Sequence, residues 1–236
     1  MEDSNKKMYK FKEPLIEATL IKRNSQFTAT VDLNGEEITV HVPNTGRIGD
    51  VDLKNVPCLL SYHKDKKRKL KYDVDAVLLS DDDNWVGINQ ILTNKLIKYF
   101  LETNQLSEMV DSTEPISREV KLGKSKIDFK VGNIYIEVKT PLLTINVKYG
   151  KNIKTKKKSI SSSTERMAKH VQDLAKSLKE EERAILLVVN QYRITENKPD
   201  SINAGVEFWN LELNFSPEGV SIHELKETTN DVLKIK

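Results

Sequence analysis

The chain has 236 residues, of which 38% are hydrophobic and 31% are charged. This composition is ordinary for a folded globular protein and too apolar for wholesale disorder, and the length allows one large domain or two small ones. No apolar run approaches the ~20 residues that span a bilayer. The polar amino-terminal segment 1–10 lacks the apolar stretch of a secretory signal. We therefore expect a cytoplasmic protein with no membrane partner.

Cysteine and charge restrict the chemistry further. Cys58 is the single cysteine, which excludes a disulfide or a zinc ribbon within one chain, so a bound metal would need oxygen or histidine ligands. The formal net charge is only +3, because 38 basic residues are nearly balanced by 35 acidic ones. Two basic clusters, 64–71 and 148–158, could contact phosphates, although solvated lysine-rich loops are an equally good interpretation of either cluster alone.

The first third of the chain alternates between apolar and polar residues in short runs, which is typical of strands. Asn34-Gly35 is a hairpin signal between two of these runs, and Pro43 opens a turn after the third. Five short strands suit a small antiparallel barrel of the OB type. The predicted strands are residues 18–23, 27–33, 37–42, 58–63 and 72–79.

The polar run 81–84 interrupts this pattern, and a domain boundary is predicted there. The predicted division is an OB-type nucleic-acid-binding domain at 1–82 and a second domain at 83–236. After the boundary the periodicity becomes helical, with Asn89 as the cap of a helix that ends near Thr103. The fold class is therefore α+β with two domains. Three strands are predicted after the helix, at residues 116–122, 126–131 and 134–140.

The rest of the chain predicts a mixed sheet flanked by helices. Ser162 and Glu165 form a capping box before an apolar stripe, which predicts a second helix that ends near Arg183. The apolar run 184–189 suits a strand covered on both faces and reached by a parallel crossover from the strand before that helix. A final hairpin is predicted over 209–222, where apolar residues alternate around a turn.

The candidate chemistry lies in a hairpin around Gly132-Asn133, a dipeptide suited to a two-residue turn. Register counted from that turn places Asp128 directly opposite Glu137. Lys139 shares a face with Glu137, because alternate residues of a strand point the same way. Two opposed carboxylates repel each other, so a compensating charge is expected. The same register places four apolar residues on the opposite face: Ile127, Phe129, Ile136 and Val138.

A divalent cation would compensate these two acids better than the nearby lysines Lys126 and Lys139. Two carboxylates with water and a phosphate oxygen suit Mg²⁺ or Mn²⁺, which would polarise a scissile phosphate and activate a water molecule. Lys139 would orient or deprotonate that water and stabilise the developing charge. The hairpin thus predicts a phosphodiester hydrolase with Asp128, Glu137 and Lys139 as catalytic residues. A charged, solvent-exposed strand face is the alternative interpretation.

Seven short stretches, in this order and spacing, point to a known family. They are LIKR at 20–23, HVPNTGR at 41–47, VGIN at 86–89, REV at 118–120, IDF at 127–129, EVK at 137–139, and TER at 164–166 with KH at 169–170. With them the chain resembles the sugar fermentation stimulation protein A (SfsA) family along nearly its whole length.

This resemblance implies an amino-terminal OB-type domain and a carboxy-terminal PD-(D/E)XK nuclease-like domain, whose signature falls on Asp128, Glu137 and Lys139. It also implies nucleic-acid binding and a proposed regulatory role in sugar metabolism. The chain departs from the family pattern at 148–158, which is unusually rich in lysine, and at 192–201. Both segments are expected near the binding groove. We therefore expect their altered sequences to affect substrate preference.

Four residues outside the hairpin motif are further candidates. Glu119 could be a third carboxylate at the metal, and an exposed ion pair with a lysine is the equal alternative. Glu102 is the weaker candidate for an acid supplied by the first helix. Arg166 and His170 are one helical turn apart and could contact a phosphate or a water, with a structural role as the alternative.

The barrel offers its own candidate contacts to nucleic acid. Asn44 and Arg47 flank Gly46, where backbone amides could approach a phosphate closely, and Arg47 is hard to explain by turn formation alone. Tyr62 and His63 could combine stacking with charge, although strand aromatics usually belong to the core. The expected nucleic-acid contacts are Arg23, Asn44, Arg47, Lys67, Arg68, Arg166 and His170.

Two hypotheses about function follow from these observations. The first is a divalent-metal-dependent nuclease acting on DNA, with RNA as an alternative substrate. The oligomeric state is left open, and a homodimer is one alternative. The second is a DNA-binding regulatory protein of sugar metabolism whose nuclease-like domain is only a scaffold, since a fold does not determine function. Retention of both acids and the lysine favours the first. A metabolic or scaffolding role without nucleic acid is a third alternative.

Overall fold

The computed structural model of the protein describes residues 7–44, 46–123, 125–155, 175–195 and 206–228. Twelve strands form one sheet, and one α-helix lies among the described residues. The elements are β1 (Ile16–Arg23), β2 (Thr28–Leu33), β3 (Glu36–His41), β4 (Val56–Tyr62), β5 (Tyr72–Leu78), β6 (Trp85–Gly87), α1 (Gln90–Glu102), β7 (Ile116–Leu122), β8 (Ser125–Val131), β9 (Ile134–Lys139), β10 (Arg183–Asn190), β11 (Glu207–Ser216) and β12 (Gly219–Glu227).

The first five strands pair in the order β3-β2-β1-β4-β5. The turn between β2 and β3 uses Asn34 and Gly35, whose φ angles of 56° and 88° suit the hairpin signal in the sequence. β3 and β5 also meet at one parallel pair, His41 with Asp73, so the two edges of this five-stranded sheet come together. All five predicted strands are confirmed to within two residues at each end.

β6 joins the two halves of the sheet, and no strand was predicted there. β6 pairs with β5 on one side, and its Trp85 pairs with Phe215 of β11 on the other. Three residues are too few for an alternating pattern to be visible. Gly87 is needed for close packing, because a Cβ atom there would lie 2.7 Å from the Phe215 ring. The sheet is therefore continuous across the connection between the two halves.

α1 begins and ends where the sequence predicts. The side chain of Asn89 accepts a hydrogen bond from the backbone N–H of Leu92 at 3.0 Å, which is the expected cap. Leu92, Leu96 and Phe100 are buried in the core beside the sheet, and Thr103 caps the other end. In the part of the chain that the structure describes, no helix is long and apolar enough to cross a membrane.

β10 runs parallel to both β9 and β11, which confirms the predicted crossover strand. Its central residues 184–189 are apolar because both faces of the strand are covered: Ile185 and Leu187 pack in one cluster, whereas Ala184 and Leu186 pack in another. The hairpin β11–β12 is confirmed as well, with Ser216 paired to Gly219 across a two-residue turn. Most of the predicted second helix, including 162–174, lies outside the described residues.

The hydrophobic core crosses between the two halves of the molecule. The cluster beneath α1 includes Leu15 and Leu59 from the amino-terminal half. The cluster inside those strands in turn includes Leu142, Ile145 and Tyr192 from the carboxy-terminal half. The halves therefore share apolar packing as well as strand pairing.

Candidate metal and nucleic-acid site

β8 kinks at Asp128. Its ladder with β9 follows the predicted register from the turn but ends at Phe129 and Ile136. On the other side, Glu119 of β7 has a φ of 55° and drops out of the ladder with β8. Because neither neighbouring strand pairs with Asp128, the prediction that it lies in the ladder directly opposite Glu137 is wrong.

Ile127 and Phe129, on either side of this interruption, pack in different clusters. Phe129 and Ile136 pack in the core beneath α1. Ile127 packs instead with Leu122 and Tyr135 in a separate cluster. The prediction that Ile127 and Phe129 share a face is therefore wrong, because the alternation of the strand is interrupted between them.

Two amide donors hold the half-buried carboxylate of Asp128. The backbone N–H of Val138 donates to Oδ2 at 2.9 Å, and the side-chain Nδ2 of Asn94 donates to Oδ1 at 2.8 Å. Val138 lies between Glu137 and Lys139 in β9. The Asp128 carboxylate thus contacts β9 in the middle of the motif that the sequence singled out.

Glu137 and Lys139 form an ion pair, so their side chains share a face as predicted. The Glu137 side chain is only 6% exposed, whereas that of Lys139 is 36% exposed. Burial of a carboxylate is costly unless it is paired, and Lys139 supplies a cation. The alternative interpretation of a solvated strand face is therefore wrong for Glu137.

The donor set fits a hard divalent cation. Asp128 and Glu137 offer carboxylate oxygens, which Mg²⁺, Mn²⁺ and Ca²⁺ prefer. Within the described ranges, no group of three or more His, Cys, Asp or Glu side chains is arranged to hold a metal. An ion at this position would therefore complete its shell with water and phosphate oxygens, as Mg²⁺ commonly does.

The other two acids named from the sequence make exposed ion pairs. Glu119 pairs with Lys126 at 2.6 Å, and this hydrogen bond lowers the pKa of Glu119. Glu102 pairs with Lys98, one turn earlier in α1. The geometry supports the ion-pair alternative for Glu119. α1 contacts the hairpin through Asn94, a residue for which the sequence carried no signal, because only the docking of the helix brings it to Asp128.

Arg23 supports a loop of the amino-terminal domain. Its guanidinium donates to the backbone carbonyls of Gln26 at 2.6 Å and of Gly46 at 3.3 Å. Asn44 is buried, and its Oδ1 accepts a hydrogen bond from the backbone N–H of Gly46 at 2.6 Å. Both side chains thus shape the loop that precedes Arg47.

Arg47 is exposed and lines an open groove of about 420 Å³ beside this loop. Lys22 and Lys54 add positive charge to the lining, and Asp50 and Asp52 add negative charge. The side chain that sequence analysis could not explain by turn formation therefore lies at a groove of mixed charge.

Arg68 belongs to a cluster around the buried Asp73. The guanidinium lies 2.6 Å from Oδ1 of Asp73, His41 Nδ1 lies 2.9 Å from the same oxygen, and His63 Nε2 lies 2.8 Å from Oδ2. Burial acts to raise the pKa of Asp73, but the hydrogen bonds from Arg68 and His41 outweigh it, and the pKa is lowered. Arg68 therefore has a structural partner, which its place in a lysine-rich run did not indicate.

The remaining basic candidates within the described residues are exposed lysines. Lys67 is exposed in the loop between β4 and β5, where its backbone N–H donates to Asp65. In the second basic cluster, Lys148, Lys151 and Lys154 are exposed. Arg166, His170 and the rest of that cluster, residues 156–158, lie outside the described residues.

The fold defines a two-part protein: an amino-terminal OB domain, followed by a mixed sheet that carries the acidic hairpin. A family model described as SfsA N-terminal OB domain matches residues 21–88, and one described as sugar fermentation stimulation protein RE domain matches residues 91–228. The chain belongs to the sugar fermentation stimulation protein (SfsA) family, which confirms the resemblance.

Relatives cover nearly the whole chain. A sugar fermentation stimulation protein homolog of Synechococcus sp. is 32% identical over 231 residues, which are 90% of this chain and 92% of that protein. A homolog of Synechocystis sp. is 31% identical over 238 residues, which are 91% and 95% of the two chains. The structure of Pyrococcus furiosus SfsA in complex with Ca²⁺ superposes with a TM-score of 0.68 at 17% identity, covering 92% of this chain and 96% of that one. At this identity the likeness concerns the fold alone.

Proposed function

We propose that the protein is a divalent-metal-dependent nuclease with a PD-(D/E)XK-type site at Asp128, Glu137 and Lys139. The observation that carries the proposal is the hydrogen bond from the Val138 N–H to Asp128. This hydrogen bond attaches the Asp128 carboxylate to β9. On the same strand, the buried Glu137 is paired with Lys139. Two acids and a lysine in one place are the groups that metal-assisted phosphodiester hydrolysis requires.

Each side chain has a defined task in the proposed reaction. Asp128 and Glu137 would hold Mg²⁺ or Mn²⁺, and the ion would polarise the phosphate and lower the pKa of a bound water. Lys139, placed by its pairing with Glu137, would donate a hydrogen bond to the phosphate oxygen on which negative charge develops. A related protein, Pyrococcus furiosus SfsA, was solved with Ca²⁺, which also takes oxygen ligands and so supports this choice of metal.

DNA is the proposed substrate, with RNA as the alternative. Exposed lysines of the segment after β9, at 148–154, and the groove at Arg47 could neutralise phosphates along a strand. The cytoplasmic location and the homodimer expected from the sequence stay predictions.

Labelled single- and double-stranded DNA, incubated with the purified full chain and Mg²⁺ or Mn²⁺, tests the proposal. The wild type should cleave, chelation of the metal should stop cleavage, and Asp128→Ala should lower the rate at least ~100-fold. Glu17→Ala is the matched control, because it removes an exposed carboxylate from β1, outside the candidate site. Cleavage by Asp128→Ala at the wild-type rate would overturn the assignment of the site.

A DNA-binding regulatory protein is the second candidate, and the groove lined by Lys22, Arg47 and Lys54 favours it. The same experiment separates the two functions. Binding without cleavage in any divalent metal, with an affinity that falls steeply as salt rises, would support the regulator. An affinity for DNA that does not depend on salt would argue against both functions.

A further inference from the structure

We infer that Asn94 is the positioning residue of this site: its side-chain amide holds the Asp128 carboxylate in the orientation that a cation requires. The inference rests on the proposed function, since it names the residue that orients one of the metal ligands. Its basis is the 2.8 Å hydrogen bond from Asn94 Nδ2 to Asp128 Oδ1, across 34 residues of sequence.

The Asp128 side chain needs the Asn94 amide because strand pairing does not hold this residue in place. Its ladder with β9 has ended at Phe129, and Glu119 on the other side is out of the ladder with a positive φ. The terminal torsion of an aspartate side chain is broad, so a hydrogen bond to a single oxygen leaves the carboxylate plane free to rotate. Donors on both oxygens, one from Asn94 and one from Val138, fix that plane.

Asn94 is itself held in place. It lies in the second turn of α1, whose first turn is capped by Asn89. The side-chain amide of Asn89 donates to Asp75 in β5 at 2.7 Å, which ties the start of the helix to the amino-terminal domain. Next to Asn94, the hydroxyls of Thr93 and Thr140 are 3.1 Å apart, which ties the helix to the end of β9. The amide therefore approaches Asp128 from a fixed direction.

A neutral amide suits this task. An ionised carboxylate only accepts hydrogen bonds, so the nitrogen of the Asn94 amide must face Asp128. One N–H leaves a second lone pair on Oδ1 and the full negative charge of Asp128 for a cation. A lysine at position 94 would neutralise that charge, and an acid there would repel it. Residues that orient metal ligands in this way commonly account for 10- to 100-fold of metal affinity.

The first test needs no metal. The Val138 amide hydrogen is bonded to Asp128, so its exchange with solvent, followed by NMR on the full chain, reports whether the carboxylate stays in place. Asn94→Leu keeps the side-chain volume and removes the donor, and Val138 should then exchange roughly five- to tenfold faster. Lys95→Leu, at the exposed neighbouring position, is the matched control and should leave the exchange rate unchanged.

The second test is titration of the same proteins with Mn²⁺. Asn94→Leu should bind Mn²⁺ roughly 10- to 100-fold more weakly, with a melting temperature close to that of Lys95→Leu. If Asn94→Leu does not fold, Asn94→Ala replaces it in both tests. Unchanged Val138 exchange in a folded Asn94 variant would overturn the inference, whatever the metal result. Absence of Mn²⁺ binding by the wild type would overturn the proposed function instead.

Discussion

Asp73 in the amino-terminal domain and Asp128 in the hairpin are both strand acids that accept several hydrogen bonds, but their donors differ in kind. Asp73 is surrounded by a guanidinium and two imidazoles, from Arg68, His41 and His63. Asp128 receives two neutral amide N–H groups. A cationic donor such as the Arg68 guanidinium neutralises an acid, whereas neutral donors orient an acid and leave its charge in place. The first arrangement suits structural stability, and the second suits the binding of a cation.

The position of Asp73 in the fold supports its structural role. The pair that it forms with His41 is where β3 meets β5 and the edges of the five-stranded sheet come together. Arg68 extends the cluster from the loop between β4 and β5, so the acid connects three segments of the domain. A basic residue that the sequence suggests as a DNA contact is thus engaged in holding the domain closed.

The largest expected effect on stability is that of Asp73→Ala. Removing one partner of a buried ion pair leaves the others without compensation, which typically costs about 3–5 kcal/mol of unfolding free energy. Urea denaturation followed by circular dichroism would measure it. The matched variant is Asp128→Asn, which keeps an acceptor for Val138 and should cost about 1 kcal/mol while abolishing metal-dependent cleavage. Equal losses of stability in the two variants would contradict the comparison.

Asp75 extends the comparison, because it is buried and bonds to a neutral donor, Asn89. Burial raises the pKa of Asp75 to about 6. A raised pKa means that the stabilising contribution of this group is complete below its ordinary pKa near 3.8 and is lost as the pH rises through about 6. The pKa of Asp73 is lowered, so its contribution is present above that ordinary value and is lost as the pH falls through the folded-state pKa.

Asp75→Asn should therefore flatten the dependence of stability on pH between about pH 4 and about pH 7. In the wild type, ionisation of Asp75 should remove about 2–3 kcal/mol of unfolding free energy over that interval, since one pKa unit corresponds to about 1.4 kcal/mol. Urea denaturation at several pH values would test this. The same slope in both proteins would show that Asp75 does not titrate as its burial implies.

The smallest expected effect is that of Glu119→Gln. An exposed ion pair contributes little to stability, and the Glu119 carboxylate bonds to Lys126. We expect no measurable change in melting temperature, in Mn²⁺ affinity or in cleavage. A large loss of Mn²⁺ affinity would instead identify Glu119 as the third metal ligand, which the sequence analysis left open.

Near turns and caps, local chemistry was enough to predict the structure. The hairpin register is correct next to Gly132, whose φ of 57° suits the two-residue turn, and the helix start is correct at Asn89. Prediction failed at Asp128, the residue next to the last correct pair of the ladder, Phe129 with Ile136. The interruption of the ladder there coincides with the positive φ of Glu119 and with the contact from Asn94, and strand periodicity contains neither.

The sequence by itself determined the class of fold and the acids and lysine of the candidate site, because alternation, helix caps and turn residues act over a few positions. Only the tertiary structure decided how those acids are held and which basic side chains already have structural partners. The donors of Asp128 come from α1 and β9, and the partners of Asp73 come from positions up to 32 residues away. Such contacts form only when distant segments pack together, so no local pattern can encode them.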